Sequence, residues 1–290
     1  MTLDQRIQQD LKDLYNGGNL PGTIQEAQKL NGLIPSKQGQ TSFSTTGLPG
    51  YFTGDRKAKT VMVMLNPGED VTKANASYMN KMNFLGMTNA NDINGYHKGN
   101  QSYGHLDRHR LDNFDLKQAF FFHKWSNTGI NIPNGFCANP KSSQQILLLA
   151  KENVLTQKLQ LELIPYASSS FKAFNKSKLN LIVPFVETLF DEIFSYERKY
   201  VVFCARKFEK VFHEYNKTHP GSVTIKKIKN KWIPSRSKSK PGSCIGLYIN
   251  YKNFKMKAII ANTFPRQDLP NAYDLMEDYG EFCYNEFLKL

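Results

Sequence analysis

Apolar residues recur along the chain in four short runs that are separated by longer mixed segments. The runs are TVMVML at 60–65, LQLELI at 159–164, YVVFCA at 200–205 and MKAIIA at 256–261. Short apolar runs with β-branched residues indicate strands buried on both faces, and helix-like stretches between them indicate a parallel sheet. The pattern predicts an α/β fold with a central, mostly parallel, four-stranded sheet flanked by helices.

A helical period precedes the first run. Its apolar residues recur at steps of three and four, and they are Leu3, Ile7, Leu11 and Leu14. This spacing predicts one buried helical stripe that ends before Gly17. A Gly-, Ser- and Thr-rich segment follows it. We therefore expect an N-terminal extension over residues 1–55 and an α/β domain over residues 56–290.

Two segments interrupt the alternation of strands and helices. Residues 89–110 form a polar insertion rich in Asn, Gly, His and Tyr, which is either a disordered loop or the wall of a pocket. Residues 226–242 carry seven basic residues and no acidic one. They form either a solvated loop or a phosphate-binding surface on which Trp232 stacks against bases or sugars.

The charge of the chain points to an anionic partner. Lys and Arg number 38 against 25 Asp and Glu, a net charge of +13, and nucleic acid is the leading candidate. A membrane partner is not expected, because no apolar run approaches a spanning length and the N-terminus lacks the order of a signal peptide. We expect a cytoplasmic protein with reduced thiols, since its four cysteines lack metal-site or redox spacing.

Ligands of parallel α/β sheets bind beyond the carboxyl ends of the strands. The residues that follow the four runs are therefore the candidates for a site. They read NPGED, PYASSSF, RKFEKVF and NTFPRQD.

The first and last of these segments resemble the two motifs of the uracil-DNA glycosylase superfamily. Asn66-Pro67-Gly68 has the form of the first motif in the mismatch-specific thymine/uracil branch, and Asn262 begins a Pro-containing loop in the place of the second. The resemblance covers roughly residues 59–270 by the order of elements. It implies a monofunctional DNA glycosylase that flips a base out of double-stranded DNA and leaves an abasic site without a metal or cofactor.

Two departures from the family pattern concern the substrate. Uracil-specific relatives end the second strand with an Asn that pairs with the base, whereas this chain reads LELIPYASSS. The usual Ser-Pro or Ser-Gly of the second motif is replaced by Thr263-Phe264-Pro265-Arg266. Some relatives remove glucosylated hydroxymethylcytosine from phage DNA. The resemblance therefore allows a bulky modified cytosine as substrate, in antiviral defence or in DNA repair.

The chemistry assigns a role to Asn66. Its carboxamide can hold a water molecule by hydrogen bonding, but it does not ionise and is a poor general base. Pro67 restrains the residue before it to an extended conformation, and Gly68 permits a tight turn close to a ligand. The same properties suit an ordinary turn. Glu69 and Asp70 either assist catalysis, by orienting the water or polarising the base, or simply begin a helix.

Further side chains are predicted to contact the base or the DNA. The expected substrate contacts are Leu65, Pro67, Gly68, Tyr166, Ser168 and Asn262. The expected DNA contacts are Thr263, Phe264, Pro265, Arg266, Lys226, Lys227, Lys229, Lys231 and Arg236. Phe264 is either a wedge that fills the gap left by the flipped base or a core residue. The Ser residues that follow Tyr166 either read the base or form a loop.

Two other functions stay open. The first is a nucleic-acid-binding protein of the same fold without activity. The second is a metal-dependent nuclease in which Asp107, Asp112 and Asp115 hold magnesium. His105 and His109 have the spacing of metal ligands on a helix, but no third ligand is evident, so we predict a polar loop or a pocket wall and no metal site.

Overall fold

The computed structural model describes twelve parts of the chain. They are residues 1–16, 21–35, 42–68, 72, 75, 78–89, 91–106, 113–130, 157–168, 173–234, 241–261 and 273–289.

Seven strands in the described residues form one sheet. They are β1 (Phe52–Gly54), β2 (Thr60–Met64), β3 (Lys158–Glu162), β4 (Tyr200–Phe203), β5 (Val223–Lys227), β6 (Cys244–Tyr251) and β7 (Phe254–Ala261). The α-helices of the described residues are α1 (Leu3–Tyr15), α2 (Gln25–Leu30), α3 (Tyr78–Leu85), α4 (Ile93–Leu106), α5 (Asn113–Phe122), α6 (Val183–Phe194), α7 (Lys207–Thr218) and α8 (Tyr273–Cys283). Asn31–Leu33 and Lys176–Ile182 form 3-10 helices, and Tyr284–Leu288 a π-helix.

The strand order is β1-β3-β2-β4-β7-β6-β5. The four apolar runs of the sequence are the neighbouring strands β3, β2, β4 and β7, which are parallel to one another. The α/β class and the mostly parallel centre are therefore confirmed, but the expected four strands are too few. The strands β1 and β6 are antiparallel to their inner neighbours, and β5 pairs antiparallel with β6.

Helices cover both faces of the sheet. Successive residues of a strand point to opposite faces, so one strand contributes side chains to two apolar clusters. On one face, Val61 and Val63 join an apolar cluster with side chains of α1, α6 and α7. On the other face, Met62 and Met64 join a second cluster with side chains of α5 and α8. The described chain thus has three layers: helices, sheet and helices.

The N-terminal stripe is confirmed. All four of its apolar residues are buried, and α1 begins with a capping box in which Thr2 and Gln5 exchange hydrogen bonds. The helix ends at Asn16, whose left-handed conformation (φ 33°) caps it. The stripe shares its apolar cluster with β2, so this cluster contains residues from both sides of residue 55. The boundary at residue 55 stays a prediction.

The two interrupting segments have more structure than a loop. In the polar insertion, residues 93–106 form α4, whose buried Tyr96 donates a hydrogen bond to the carbonyl of Pro49 at 2.7 Å. In the basic segment, Lys226 and Lys227 belong to the edge strand β5. Trp232 is 6% exposed and packs on Tyr279 with ring centroids 5.2 Å apart. The prediction that Trp232 stacks against bases was wrong, because its ring is part of the second apolar cluster.

Cys204, Cys244 and Cys283 are buried free thiols. Among the described helices, none has both the length and the apolar character needed to cross a membrane.

Candidate active site at the carboxyl edge of the sheet

The order of the strands reverses between β2 and β4. The chain passes from β2 to β3 on one side and returns to β4 on the other. In open α/β sheets such a reversal opens a crevice beyond the carboxyl ends of the two strands. Asn66 lies two residues beyond the end of β2, and Arg206 and Lys207 follow β4, so these residues come after the two strands that flank the crevice.

Backbone hydrogen bonds extend the parallel pairing past the ends of the strands. The amides of Leu163 and Ile164 donate to the carbonyls of Met64 and Leu65, each at 2.9 Å. On the other side of β2, the amide of Cys204 donates to the carbonyl of Val63 at 2.8 Å. The chain that leads into Asn66 is therefore fixed by both neighbouring strands.

The Asn66 side chain is half-buried, and its amide nitrogen is engaged. Nδ2 donates to the carbonyl of Pro67 at 3.0 Å and to the carbonyl of Ser168 at 3.2 Å. No described residue donates to Oδ1. The two carbonyls accept only from the nitrogen, so they fix which way the amide faces. The oxygen is left as an acceptor that can bind the O–H of a water molecule.

Three segments of chain meet around Pro67. The amide of Ser168 donates to the Pro67 carbonyl at 3.1 Å, and the amide of Gly50 donates to the Pro165 carbonyl at 2.7 Å. A Cβ at Gly50 would lie 3.2 Å from Cγ of Pro67, so a side chain there would press on the loop. A Cβ at Gly68 would meet no atom of the described residues within 4 Å.

Tyr166 has contacts that sequence reasoning did not foresee. The side chain is 1% exposed, and its hydroxyl donates to Oδ2 of Asp10 at 2.9 Å. The predicted contact between Tyr166 and a substrate therefore has no support among its described contacts. Ser168 is also buried, and its backbone holds Asn66 and Pro67.

A row of polar side chains on β3 was missed. Gln160 Oε1 accepts from Nζ of Lys158 and from Nε2 of Gln118, both at 3.2 Å. The Gln160 amide nitrogen then donates to Oε1 of Glu162 at 3.0 Å. Burial raises the pKa of Glu162 to about 8, against the opposing effects of the Gln160 hydrogen bond and the Lys158 charge. Glu162 is thus a carboxylic acid at neutral pH.

The second oxygen of Glu162, Oε2, is buried and has no hydrogen-bond partner among the described residues. A signal for this row was present in the sequence. Residues 158–163 read KLQLEL, a strict alternation of polar and apolar positions that a strand with two apolar faces would not show.

Basic residues at the end of β5 lie at the same level of the sheet as the end of β2. Pairing runs across the sheet from Val63 to Phe203, Ile260, Ile245 and Lys227. The strand β5 has the same direction as β2, so Lys229 and Lys231 follow it at the carboxyl edge. Four steps between neighbouring strands separate β2 from β5, a distance of about 19 Å.

Arg206, which follows β4, and Lys227, at the end of β5, have the carboxylate of Glu209 as a common partner. Glu209 lies 3.8 Å from Nε of Arg206 and 3.9 Å from Nζ of Lys227. Both cations are largely exposed, at 77% and 80% of the side chain. Burial, and after it the charge of Lys210, lower the pKa of the half-buried Lys207. Sequence reasoning selected the segment RKFEKVF for inspection but assigned no role to its residues.

An open cavity of about 480 Å³ lies at the opposite, amino edge of the sheet. It is lined by Lys59, Asn127, Glu197, Arg198 and Lys199. The guanidinium group of Arg198 is engaged by the backbone carbonyls of Ala58 and Arg56. The carboxyl edge is the stronger candidate because ligands of such sheets bind there, and because Asn66 offers an acceptor to which no described residue donates.

Several predicted residues lie outside the described residues. They are Glu69, Asp70, Asn262, Thr263, Phe264, Pro265, Arg266 and Arg236, and also Asp107, His109 and Asp112. The side chains of His105 and Asp115 are not described either. Within the described part of the chain, no three His, Cys, Asp or Glu side chains are grouped closely enough to hold a metal ion.

No protein-family model, no curated protein and no solved structure matches the chain.

Proposed function

We propose that the chain is a metal-independent, monofunctional DNA glycosylase with a uracil-DNA-glycosylase-like fold. It would flip an altered pyrimidine out of double-stranded DNA, hydrolyse the N-glycosidic bond and leave an abasic site. The observation that carries this proposal is the Asn66 carboxamide at the reversal of strand order. Two carbonyls hold its nitrogen, and no described residue donates to its oxygen.

The reaction needs a positioned water and stabilisation of opposite charges. Breaking the bond between base and deoxyribose develops positive charge on the sugar and negative charge on the base. Oδ1 of Asn66 would accept a hydrogen bond from the attacking water and direct its oxygen at the sugar. The carboxamide does not take up the proton, so its contribution is orientation. The DNA phosphates near the cationic sugar would supply favourable charge.

The other predicted contacts complete the pocket. Leu65, Pro67 and Gly68 would border the flipped base, with Glu69 or Asp70 orienting the water or polarising the base. Asn262 and the segment 263–266 would approach the DNA from the end of β7. In this proposal Tyr166 supports the loop around Pro67 and does not contact the base, because its hydroxyl donates to Asp10.

The basic residues at the carboxyl edge support duplex DNA as the partner. The strand β5, which carries Lys226 and Lys227 and leads to Lys229 and Lys231, lies four strand spacings from β2. This separation of about 19 Å corresponds to five or six phosphates of one DNA strand. Arg206 lies between these lysines and the site. A duplex along this edge could contact the basic strand end while one base enters the crevice.

The substrate proposal is a bulky modified cytosine, such as glucosylated hydroxymethylcytosine in phage DNA. It rests on the absence of a uracil-pairing Asn at the end of β3, where the chain continues as Ile164-Pro165-Tyr166. Such an enzyme would act in the cytoplasm, in defence against phages or in DNA repair.

The proposed reaction is tested on a panel of duplexes that differ at one base. The panel contains cytosine, uracil, mismatched thymine, hydroxymethylcytosine and its glucosylated form. Alkali-labile strand breaks, formed equally with and without a chelator, are expected at one or more altered bases. Breaks that appear without alkali and disappear with the chelator would indicate a nuclease instead. Cleavage at plain uracil alone would contradict the bulky-base proposal.

A second candidate, a binding protein without activity, is favoured by the basic strand end alone. It predicts salt-dependent binding to every duplex of the panel and no abasic product on any of them.

A further inference from the structure

Asp10 is a buried carboxyl group that connects α1 to the candidate site. The residue is 2% exposed, and one of its oxygens accepts two hydrogen bonds. The hydroxyl of Tyr51 donates to Oδ2 at 2.7 Å, and that of Tyr166 donates to the same atom at 2.9 Å. These contacts join segments separated by 41 and 156 residues in the sequence.

The two tyrosines belong to the two segments that support Asn66. Tyr166 lies two residues before Ser168. The backbone carbonyl of Ser168 accepts from the side-chain amide of Asn66, and the backbone amide of Ser168 donates to the carbonyl of Pro67. Tyr51 follows Gly50, where an added Cβ would lie 3.2 Å from Cγ of Pro67. A displacement of either tyrosine would therefore pass through one or two residues of chain to the loop that carries the carboxamide.

We propose that Asp10 is a positioning residue that aims Asn66 by holding Tyr51 and Tyr166. The inference rests on the proposed function as far as catalysis is concerned. The mechanical part, that Asp10 holds the loop around Pro67, can be measured without any activity. Asp10 itself does not touch the substrate in this scheme.

The protonation state of Asp10 then sets how firmly the loop is held. Burial raises the pKa of Asp10 to about 7, while the two tyrosine hydrogen bonds lower it. Because these bonds lower the pKa, they must be stronger to the ionised carboxylate than to the acid. Asp10 ionises as pH rises through about 7, so the loop is held more firmly above that pH.

Other charged and titratable groups act on this centre. From α1 itself, Asp13 raises the pKa of Asp10 and Arg6 lowers it, with smaller effects than burial and the tyrosines. The groups that face the centre from other elements are Tyr51, Tyr96 and Tyr166, and Glu26 acts on Tyr166. The tyrosines have pKa values raised by burial and stay protonated in the neutral range.

The test compares the wild type with Asp10→Asn, Tyr166→Phe and a control, Tyr215→Phe. Tyr215 is also fully buried, but its hydroxyl has no hydrogen-bond partner in the described residues. Amide hydrogen exchange of the peptide that spans 163–168 is measured at pH 6 and pH 8 and divided by the intrinsic rate at each pH. The rate of abasic-site formation in a single turnover is measured over the same range.

In the wild type we expect protection of this peptide to rise about tenfold from pH 6 to pH 8, because hydrogen bonds to an ionised acceptor are roughly twice as strong. The reaction rate should rise with the same midpoint. Asp10→Asn should abolish both dependences, and Tyr166→Phe should lower protection at pH 8. Tyr215→Phe should behave like the wild type. If Asp10→Asn does not fold, Tyr166→Phe carries the comparison.

Protection that is equal at pH 6 and pH 8 in the wild type, or unchanged in Tyr166→Phe, would overturn the inference. If protection follows the expected pattern but no duplex yields an abasic site, the proposed function fails and the positioning of the loop by Asp10 stands.

Discussion

The two edges of the parallel sheet use their charged and polar groups in different ways. At the amino edge, Arg56 binds Glu192 through two nitrogens at 2.8 and 2.5 Å, and Arg198 donates to backbone carbonyls. At the carboxyl edge, Oδ1 of Asn66 has no described donor and Lys227 is 80% exposed. Arg56 and Arg198 at the amino edge are committed to the fold, whereas the described residues leave Oδ1 of Asn66 and most of the Lys227 side chain accessible to a ligand at the carboxyl edge.

The largest effect on stability should come from the amino edge. Glu192→Gln removes the charge that neutralises Arg56, and Arg198 lies 4.0 Å from the same carboxylate. In this variant Arg56 keeps only the exposed Asp4, and the buried Arg198 loses the one carboxylate that lies within 4.0 Å of it among the described residues. The free energy of unfolding should therefore fall by about 3–5 kcal/mol. DNA affinity at a pH and temperature where the variant is folded should not change. Denaturant titration measures the free energy of unfolding, and a binding isotherm measures the DNA affinity.

Asp4→Asn is the matched control for this prediction. Asp4 pairs with the same Arg56 at 2.8 Å, but its side chain is 51% exposed. A solvent-exposed ion pair is worth less than about 1 kcal/mol. An equal loss of stability in both variants would contradict the view that burial decides the contribution of this network.

Glu162→Gln should stabilise the protein at alkaline pH. Free glutamate ionises near 4.5, whereas Glu162 keeps its proton in the folded state up to about pH 8. Between pH 4.5 and about pH 8 the folded state therefore binds more protons than the unfolded state, so the wild type loses stability as pH rises through this range. The variant should exceed the wild type by about 2–4 kcal/mol at pH 8 and by little at pH 4.5. Urea unfolding at both pH values tests it, and an equal difference at both would contradict it.

Neutralising lysines at the two edges should separate the effect of direct DNA contacts on duplex binding from the effect of net charge. Replacing Lys226, Lys227, Lys229 and Lys231 by Gln should weaken duplex binding and reduce the slope of log K against log salt by about 3–4. The control with the same change in net charge replaces four exposed lysines near the amino edge, Lys57, Lys59, Lys199 and Lys255. Its slope should change by less than 1 on the same scale. Equal slopes for both variants would indicate that the DNA does not bind at the end of β5.

The smallest expected effect on stability is that of Gly50→Ala. The new Cβ would lie 3.2 Å from Pro67, so the loop must shift by a few tenths of an ångström. We expect a change of less than about 1 kcal/mol in unfolding free energy but a several-fold slower reaction, because small misplacements at a reacting centre reduce the rate. Gly32→Ala, whose Cβ would make an ordinary contact of 3.4 Å with Leu181, is the control and should leave the rate unchanged.

Local patterns predicted the local parts of this fold. The stripe from Leu3 to Leu14 and the four parallel strands depend on apolar residues that are close in sequence, and these elements were found where expected. The strand β5 was missed because it lies at the edge of the sheet and its residues VTIKK are mostly exposed. Its basic end was assigned to a loop. Sequence composition does not distinguish an exposed edge strand from a basic loop.

The candidate site was predicted only in part for a related reason. The position of Asn66 follows from the strand before it, and the structure places it at the reversal of strand order. One of the two hydrogen bonds that fix its side chain goes to Ser168, 102 residues away, and the support of Tyr166 comes from Asp10, 156 residues away. These contacts depend on how distant segments meet. No local periodicity predicts them.

The most direct test of the central claim is abasic-site formation by Asn66→Ala under single-turnover conditions. Asn250→Ala is the control, since the Asn250 amide also donates to a backbone carbonyl, that of Gly221 at 3.4 Å, but lies toward the amino edge. We expect Asn66→Ala to lose activity by about 10²–10³-fold with duplex affinity within about twofold of the wild type. Asn250→Ala should keep full activity. Undiminished cleavage by Asn66→Ala would contradict the account.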